Sequence, residues 1–329
     1  MNKSLHFYLQ NKHTLCLEPE EIDTSGDWLF WSEKTDESFC AQLASWGQLV
    51  PVLVAYEKGK WLLVSGQKRV NACRSTRQSV LGLQVDADDW TKGIIYIQAN
   101  LDKQIDAKKA LAALRYFQQI AEGTDWWEQA LGYLQIPVKG PWAKSLSNWL
   151  KLPRSWDNHL YAEHIELVCA PLLARFDKDE LDVLEDFFSS LAWSRNNARN
   201  FLTWLWEIGK REKESLQVWM PRTDLPEVLQ SELSPKDKIA KILREIRAKR
   251  FPKLSELEKK SYLLCKDLSK GKKWEINVDP SFEQSHVFLK ACLKNRKELN
   301  LALEQLEELS SSKSWEELWS LAQEPYFED

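Results

Sequence analysis

A chain of 329 residues with 29% charged and 43% hydrophobic positions is long enough for two or three folded domains, and 11 glycines and 12 prolines are too few for long low-complexity tracts. No apolar run nears the ~18 residues of a membrane span, the N-terminus reads as no secretion leader, and six scattered cysteines without a CxxC pair argue against zinc or a disulfide framework and for a reducing cytosol. The net charge of −4 excludes a uniformly basic nucleic-acid binder, so any such surface must be a local patch.

Residues 1–45 mix acids and aromatics around Gly26 ("EPEEIDTSGDWLFWSEKTDESF") and read as short strands or an N-terminal docking arm. Residues 46–104 read as α/β. "LVPVLVAYEKGKWLLVSG" is two β-rich runs turning at Glu57 to Lys60, hence a hairpin, with Pro51 at a strand start where a missing donor is tolerated. "QKRVNACRSTRQ" reads as a helix, "SVLGLQVDA" as a third strand, and "GIIYIQANLDK" as a fourth strand or a helix start.

Residues 105–220 read as all helical. Leu111, Leu114 and Phe117 give an i, i+3 pattern in the first helix. "TDWWEQALGYLQIP" opens on a capping-type Thr124 or Asp125 and stops before Pro137. "GPWAKSLSNWLKLP" has Pro141 at a first-turn position and stops at Pro153, so the two short helices form a helix-turn-helix candidate. Pro221, Pro226 and Pro235 mark residues 221–234 as a linker. Residues 235–329 then read as two helices, two strands ("WEINV", "HVFLKACL") and an amphipathic helix, a unit too small to stand alone. Lys236 to Lys260 carries ten bases against four acids, and residues 298–329 carry nine acids against one base. Both read as solvated helix faces.

Two places carry candidate chemistry. In "LLVSGQKRVNACR" a strand stops at Gly66 and a helix follows. A glycine there lets the chain approach a ligand closely, free N–H groups at a helix start attract an anion, and Lys68 and Arg69 add charge. The bland alternative is a glycine that ends a strand while both bases face water. In the second helix of the helix-turn-helix candidate, Trp142, Leu146, Trp149 and Leu150 form the expected buried stripe. Lys139, Lys144, Ser145, Ser147, Asn148, Lys151 and, just past the helix, Arg154 remain for DNA. Asn148 suits adenine and the cations suit phosphates. The bland alternative is a helical bundle with a solvated face.

The order of parts and four short boxes resemble the ParB/Spo0J (ParB/RepB-like) partition proteins. "GQLVPVLV" is similar to the family's first box, with Val50 where Gln or Thr usually precedes the proline. "LLVSGQKRVNACR" is similar to its Gly-Glu-Arg-Arg box, keeping Gly66 and Arg69 but carrying Gln67 for Glu and Lys68 for Arg. "QANLDK" is similar to its Glu-Asn-x-x-Arg box, keeping Asn100 but carrying Ala99 and Lys103. "SLSNWLKLP" is similar to the end of the recognition helix and its Leu-Pro exit, while "LVCAPLLARF" lacks the His of the Gly-His-Ala-Arg segment that usually follows.

The resemblance implies an α+β protein: a ParB/sulfiredoxin-like α/β domain, an all-helical helix-turn-helix domain, and a C-terminal strand-strand-helix unit that dimerises. It implies double-stranded DNA and a ParA-type ATPase as partners, and a cytoplasmic, nucleoid-associated role in chromosome or plasmid partition. It further implies CTP and magnesium at Gly66, Gln67, Lys68, Arg69, Asn100 and Lys103, with Asn100 as the metal residue. Gln67 and Ala99 supply no anionic oxygen, so hydrolysis is expected to be weak or absent. The alternatives are a nucleotide-independent DNA-binding regulator or nucleoid protein, and a sulfiredoxin-like or nuclease enzyme. For the enzyme, Cys73 and the Asp86, Asp88 and Asp89 cluster are the candidates, and core packing and turn formation are the better accounts of each.

Overall fold

The computed structural model describes residues 14–31, 35–101, 104–279, 282 and 286–321. The chain divides into two compact units, residues 1–199 and 200–329. The first opens with β1 (Leu15–Leu17), β2 (Ile22–Asp23), α1 (Glu37–Trp46), β3 (Val52–Glu57), β4 (Lys60–Ser65), α2 (Gln67–Thr76), β5 (Val80–Gln84) and α3 (Asp89–Gln98). Successive positive φ at Lys58 (51°) and Gly59 (82°) make the tight turn that pairs β3 with β4 antiparallel. After β4, α2 carries the chain across so that β5 returns parallel to β3, with Val52 opposite Gly82. The sheet order is β1-β5-β3-β4-β2. Ala55, Val64, Val85 and Ile95 join one buried cluster between sheet and α3.

The described residues of the segment read as strands or an arm are part of this sheet. β1 adds antiparallel to β5 and β2 adds parallel to β4, one on each edge. Buried Trp28 reinforces them, its indole N–H donating to the Leu63 carbonyl at 2.7 Å. Residues 1–13 lie outside the described residues. The "GIIYIQ" run is helix α3, not a strand: Asp88 caps it by accepting from the Thr91 N–H at 2.7 Å.

The rest of the first unit is helical: α4 (Ala107–Ile120), α5 (Trp126–Tyr133), α6 (Pro141–Trp149), α7 (Ser155–Tyr161), α8 (Ala170–Leu173), α9 (Lys178–Ser189) and α10 (Arg195–Glu212), whose residues from Asn200 fall in the second unit. Ala110, Ala113, Leu114 and Phe117 are fully buried and keep the helical period of α4.

The second unit continues with α11 (Leu216–Trp219), α12 (Leu225–Gln230), α13 (Pro235–Arg250), α14 (Pro252–Ser269), β6 (Trp274–Val278), β7 (Val287–Ala291), α15 (Arg296–Ser310) and α16 (Ser314–Ser320). The stretch read as a linker is folded. Pro221, Pro226 and Pro235 each stand in the first turn of a helix, where their missing N–H costs nothing, and Leu225 and Val228 are buried. Much of the basic run in α13 and α14 is paired within the unit, Arg247 with Glu258 and Arg250 with Glu207. β6 and β7 form an antiparallel pair over a cluster that includes Ile276, Phe282, Leu309 and Trp315. Phe288, Leu289, Leu299, Leu301 and Leu303 remain exposed.

Candidate functional site

α5 and α6 are joined through residues 134–140, and the chain around α6 forms a groove of about 440 Å³. Five of the expected DNA residues line it: Lys139, Lys144, Ser147, Asn148 and Lys151. The three lysines are exposed, and the described lining contains no carboxylate. The Asn148 amide donates to the Lys144 carbonyl at 2.9 Å, one turn back. Trp127 and Val138 supply apolar wall. Sequence periodicity did not place these two in the groove, although adjacent Trp126 and Trp127 cannot both face one core.

Two expected residues are elsewhere. Ser145 is buried at 8% exposure. It stands three residues after Trp142 and four before Trp149, so it belongs to the apolar stripe, and α6 packs that side on residues 167–173. Trp142, expected inside the stripe, is only half-buried. Arg154 is exposed outside the groove and donates to Gln119 Oε1 at 3.3 Å.

A buried ion pair seats the exit of α6. Arg115 of α4 donates through Nε and Nη2 to the two carboxylate oxygens of Asp157 on α7, at 2.9 and 3.0 Å. Its other donors reach the carbonyls of Leu150 and Leu152, each at 3.1 Å. Trp149 Nε1 donates to the same Asp157 at 2.9 Å. A fixed cation at the carbonyl end of a helix complements its dipole, and every partner of this buried charge is specified. Sequence gave no cue for a contact between residues 42 apart.

At the glycine turn, Gly66 has φ +110°, and a Cβ there would lie 2.7 Å from Val52 Cγ1. Glycine is required by both conformation and space. Gly66 is the N-cap of α2, so no side chain caps the helix start. Arg69, however, turns inward: its Nη1 donates to the Val50 carbonyl at 2.9 Å and the Pro51 carbonyl at 2.7 Å. Burial lowers its pKa, although a guanidinium stays charged. Gln67 Oε1 is buried with no hydrogen-bond partner. Asn100 ends α3 and donates its amide to the Tyr96 carbonyl at 2.8 Å. Lys103 lies outside the described residues. Among these described residues none offers an anionic oxygen to magnesium, and the Arg69 guanidinium is engaged by backbone carbonyls.

Asp88, Asp89 and Cys73, three of the residues considered for an enzyme, each have a structural role. Asp88 caps α3, and Asp89 pairs at 2.9 Å with Lys92, a side chain only 1% exposed that also pairs with Glu57 and lies under the Trp28 ring. Burial opposes the Lys92 ammonium, but the bonds to Glu57 and Asp89 outweigh it and raise its pKa. Cys73 is fully buried, and burial pushes its thiol pKa up, the opposite of an activated nucleophile. Among the described residues no cluster of three metal-ligating side chains occurs, and no helix is long and apolar enough to cross a membrane.

No protein-family model matches the chain, and no curated protein matches it. Among solved structures it is similar to the C-terminally truncated chromosome-partitioning protein ParB from Caulobacter crescentus complexed to the centromeric parS site, at 16% identity and a TM-score of 0.36, over 56% of this chain and 96% of that one. It is also similar to C-terminally truncated ParB from Caulobacter crescentus complexed with CTP-gamma-S, at 17% identity and a TM-score of 0.24, over 54% of this chain and 98% of that one. Superpositions this loose do not define the ligands of the present chain.

Proposed function

We propose that this chain is a ParB-like protein that binds double-stranded DNA through α6 and acts in chromosome or plasmid partition. The observation that supports it is the groove: Lys139, Lys144 and Lys151 surround Ser147 and Asn148, with no carboxylate among the described lining. The lysines would hold phosphates and set register, while Asn148 would reach a base edge. A protein of net charge −4 needs such a local arrangement to approach DNA. The fused α/β and C-terminal parts follow the resemblance read from the sequence. They bring a homodimer through β6, β7 and α15, a ParA-type ATPase as partner and a nucleoid location. The exposed Phe288 on β7 and Leu299 and Leu303, one turn apart on α15, support the dimer, since apolar side chains left on a lone strand pair and its helix are poorly covered. The test is binding of duplex DNA by the full chain and by Lys144→Ala with Asn148→Ala. The double variant should lose specific binding while keeping its circular dichroism, and unchanged binding would move the site elsewhere.

A second reading, a CTP-gated clamp with weak or lost hydrolysis, is favoured by one feature, the uncapped start of α2 at Gly66. Titration of CTP with and without magnesium separates it from nucleotide-independent DNA binding.

A further inference from the structure

The two bases beside Gly66 were open to two readings, a phosphate cradle or a water-facing surface, and Arg69 does neither. We infer that Arg69 is a positioning residue: it latches the segment before β3 to α2, and it is not an anion ligand. Its Nη1 bridges the Val50 and Pro51 carbonyls, which lie 19 and 18 residues earlier in the chain. A second residue grips the same segment. Gln48 Nε2 donates to the carbonyls of Val50 at 3.0 Å and Leu81 at 2.7 Å, and Gln48 Oε1 accepts from the Leu81 N–H at 2.8 Å. The side chain thus bonds both backbone groups of one β5 residue, as a neighbouring strand would, just before β3 takes over the pairing at Val52. The Val50 carbonyl accepts from both Gln48 and Arg69, so both lone pairs are used.

The latch has a geometric origin. Gly66 ends β4 beside Val52, and its φ of +110° starts α2 so that the side chain three residues on falls over the β3 entry. The guanidinium carbon lies 3.2 Å from the Cβ that Gly66 lacks, so the glycine also makes room for the arginine. The consequence is that the family-type glycine box and the proline box are joined by direct hydrogen bonds within this chain. The segment so held, Trp46 to Val50, presents Trp46, Leu49 and Val50 to solvent at 80, 82 and 61% exposure. A cation drawn to two backbone carbonyls would have to leave them to meet a phosphate, and the segment would lose its anchor.

The experiment compares full-length wild type, Arg69→Met and Arg69→Lys. Thermal unfolding is read first, then isothermal titration with CTP in magnesium. Met keeps the stem and removes the donors, and Lys keeps one cationic point donor but not the fork. The latch predicts that R69M lowers the unfolding midpoint by roughly 5 °C and that R69K falls between. It also predicts faster amide exchange across residues 50–54 in both variants, and CTP affinity, if measurable at all, within about 3-fold of wild type in R69K. If R69M does not fold, R69K alone decides. A wild-type midpoint in R69K or R69M overturns the inference. So does CTP binding that falls at least 10-fold in R69K while amide exchange across residues 50–54 is unchanged. Failure of DNA binding leaves this result untouched, because the latch is read without DNA.

Discussion

Removing Asp157 isolates how the groove is held in place. In Asp157→Ala, Arg115 loses both carboxylate bonds, 2.9 and 3.0 Å, and the Trp149 indole N–H loses its 2.9 Å acceptor. Both members of the pair are only 11% exposed, so water cannot readily replace the carboxylate. Breaking a buried pair by deleting one partner costs about 3–5 kcal/mol, because a charge is left uncompensated. The orphaned indole alone would add about 1–3 kcal/mol, but the retained bonds to Leu150 and Leu152 offset part of the charge term, so the sum stays near 4 kcal/mol. That is a large share of the roughly 5–15 kcal/mol that holds a typical domain folded. The companion Arg115→Met with Asp157→Leu removes both charges and leaves the two carbonyls and the indole to find other partners. It should cost less than Asp157→Ala, about 1–3 kcal/mol. Urea unfolding of wild type, Arg115→Met, Asp157→Leu and the double variant gives the coupling directly. A loss below about 1 kcal/mol for Asp157→Ala, or a double variant worse than either single, would refute the reasoning.

Gly66→Ala should destabilise the first unit by about 2 kcal/mol or more, through positive φ and the Val52 clash, as read by the urea midpoint; a neutral effect would remove the steric account of the turn. Deletion of residues 274–329 should convert a dimer to a monomer in sedimentation, and a persistent dimer would refute the C-terminal assignment.

The parts of this molecule that were legible in sequence are those set by local chemistry. The Glu57 to Lys60 turn, the helix after Gly66, the α4 stripe and the Pro141 start of α6 each follow from neighbours along the chain. What was not legible depends on distant partners or on a local cue with two meanings. Three-residue β1 has too little pattern to announce an edge strand, and its partners in β5 lie 63 to 67 positions later, from Leu17↔Val80 to Leu15↔Gly82. Proline both breaks and begins helices, so Pro221, Pro226 and Pro235 suggested a linker where they start folded turns. Ser145 is polar but short enough to pack inside α6's stripe, and polarity alone put it outside. Arg69 carried the charge a phosphate site needs, and nothing in its neighbours revealed that the Val50 and Pro51 carbonyls would claim it first.

The central claim is tested most directly by the salt dependence of duplex affinity, read by fluorescence anisotropy for wild type and for Lys139→Ala, Lys144→Ala and Lys151→Ala combined. If the groove lysines hold phosphates, each neutralised contact contributes about 0.9 to the slope of log affinity against log salt. The triple variant should then bind more weakly and flatten that slope by between two and three units. An unchanged slope, with the variant folded and binding as wild type does, would place the DNA away from α6.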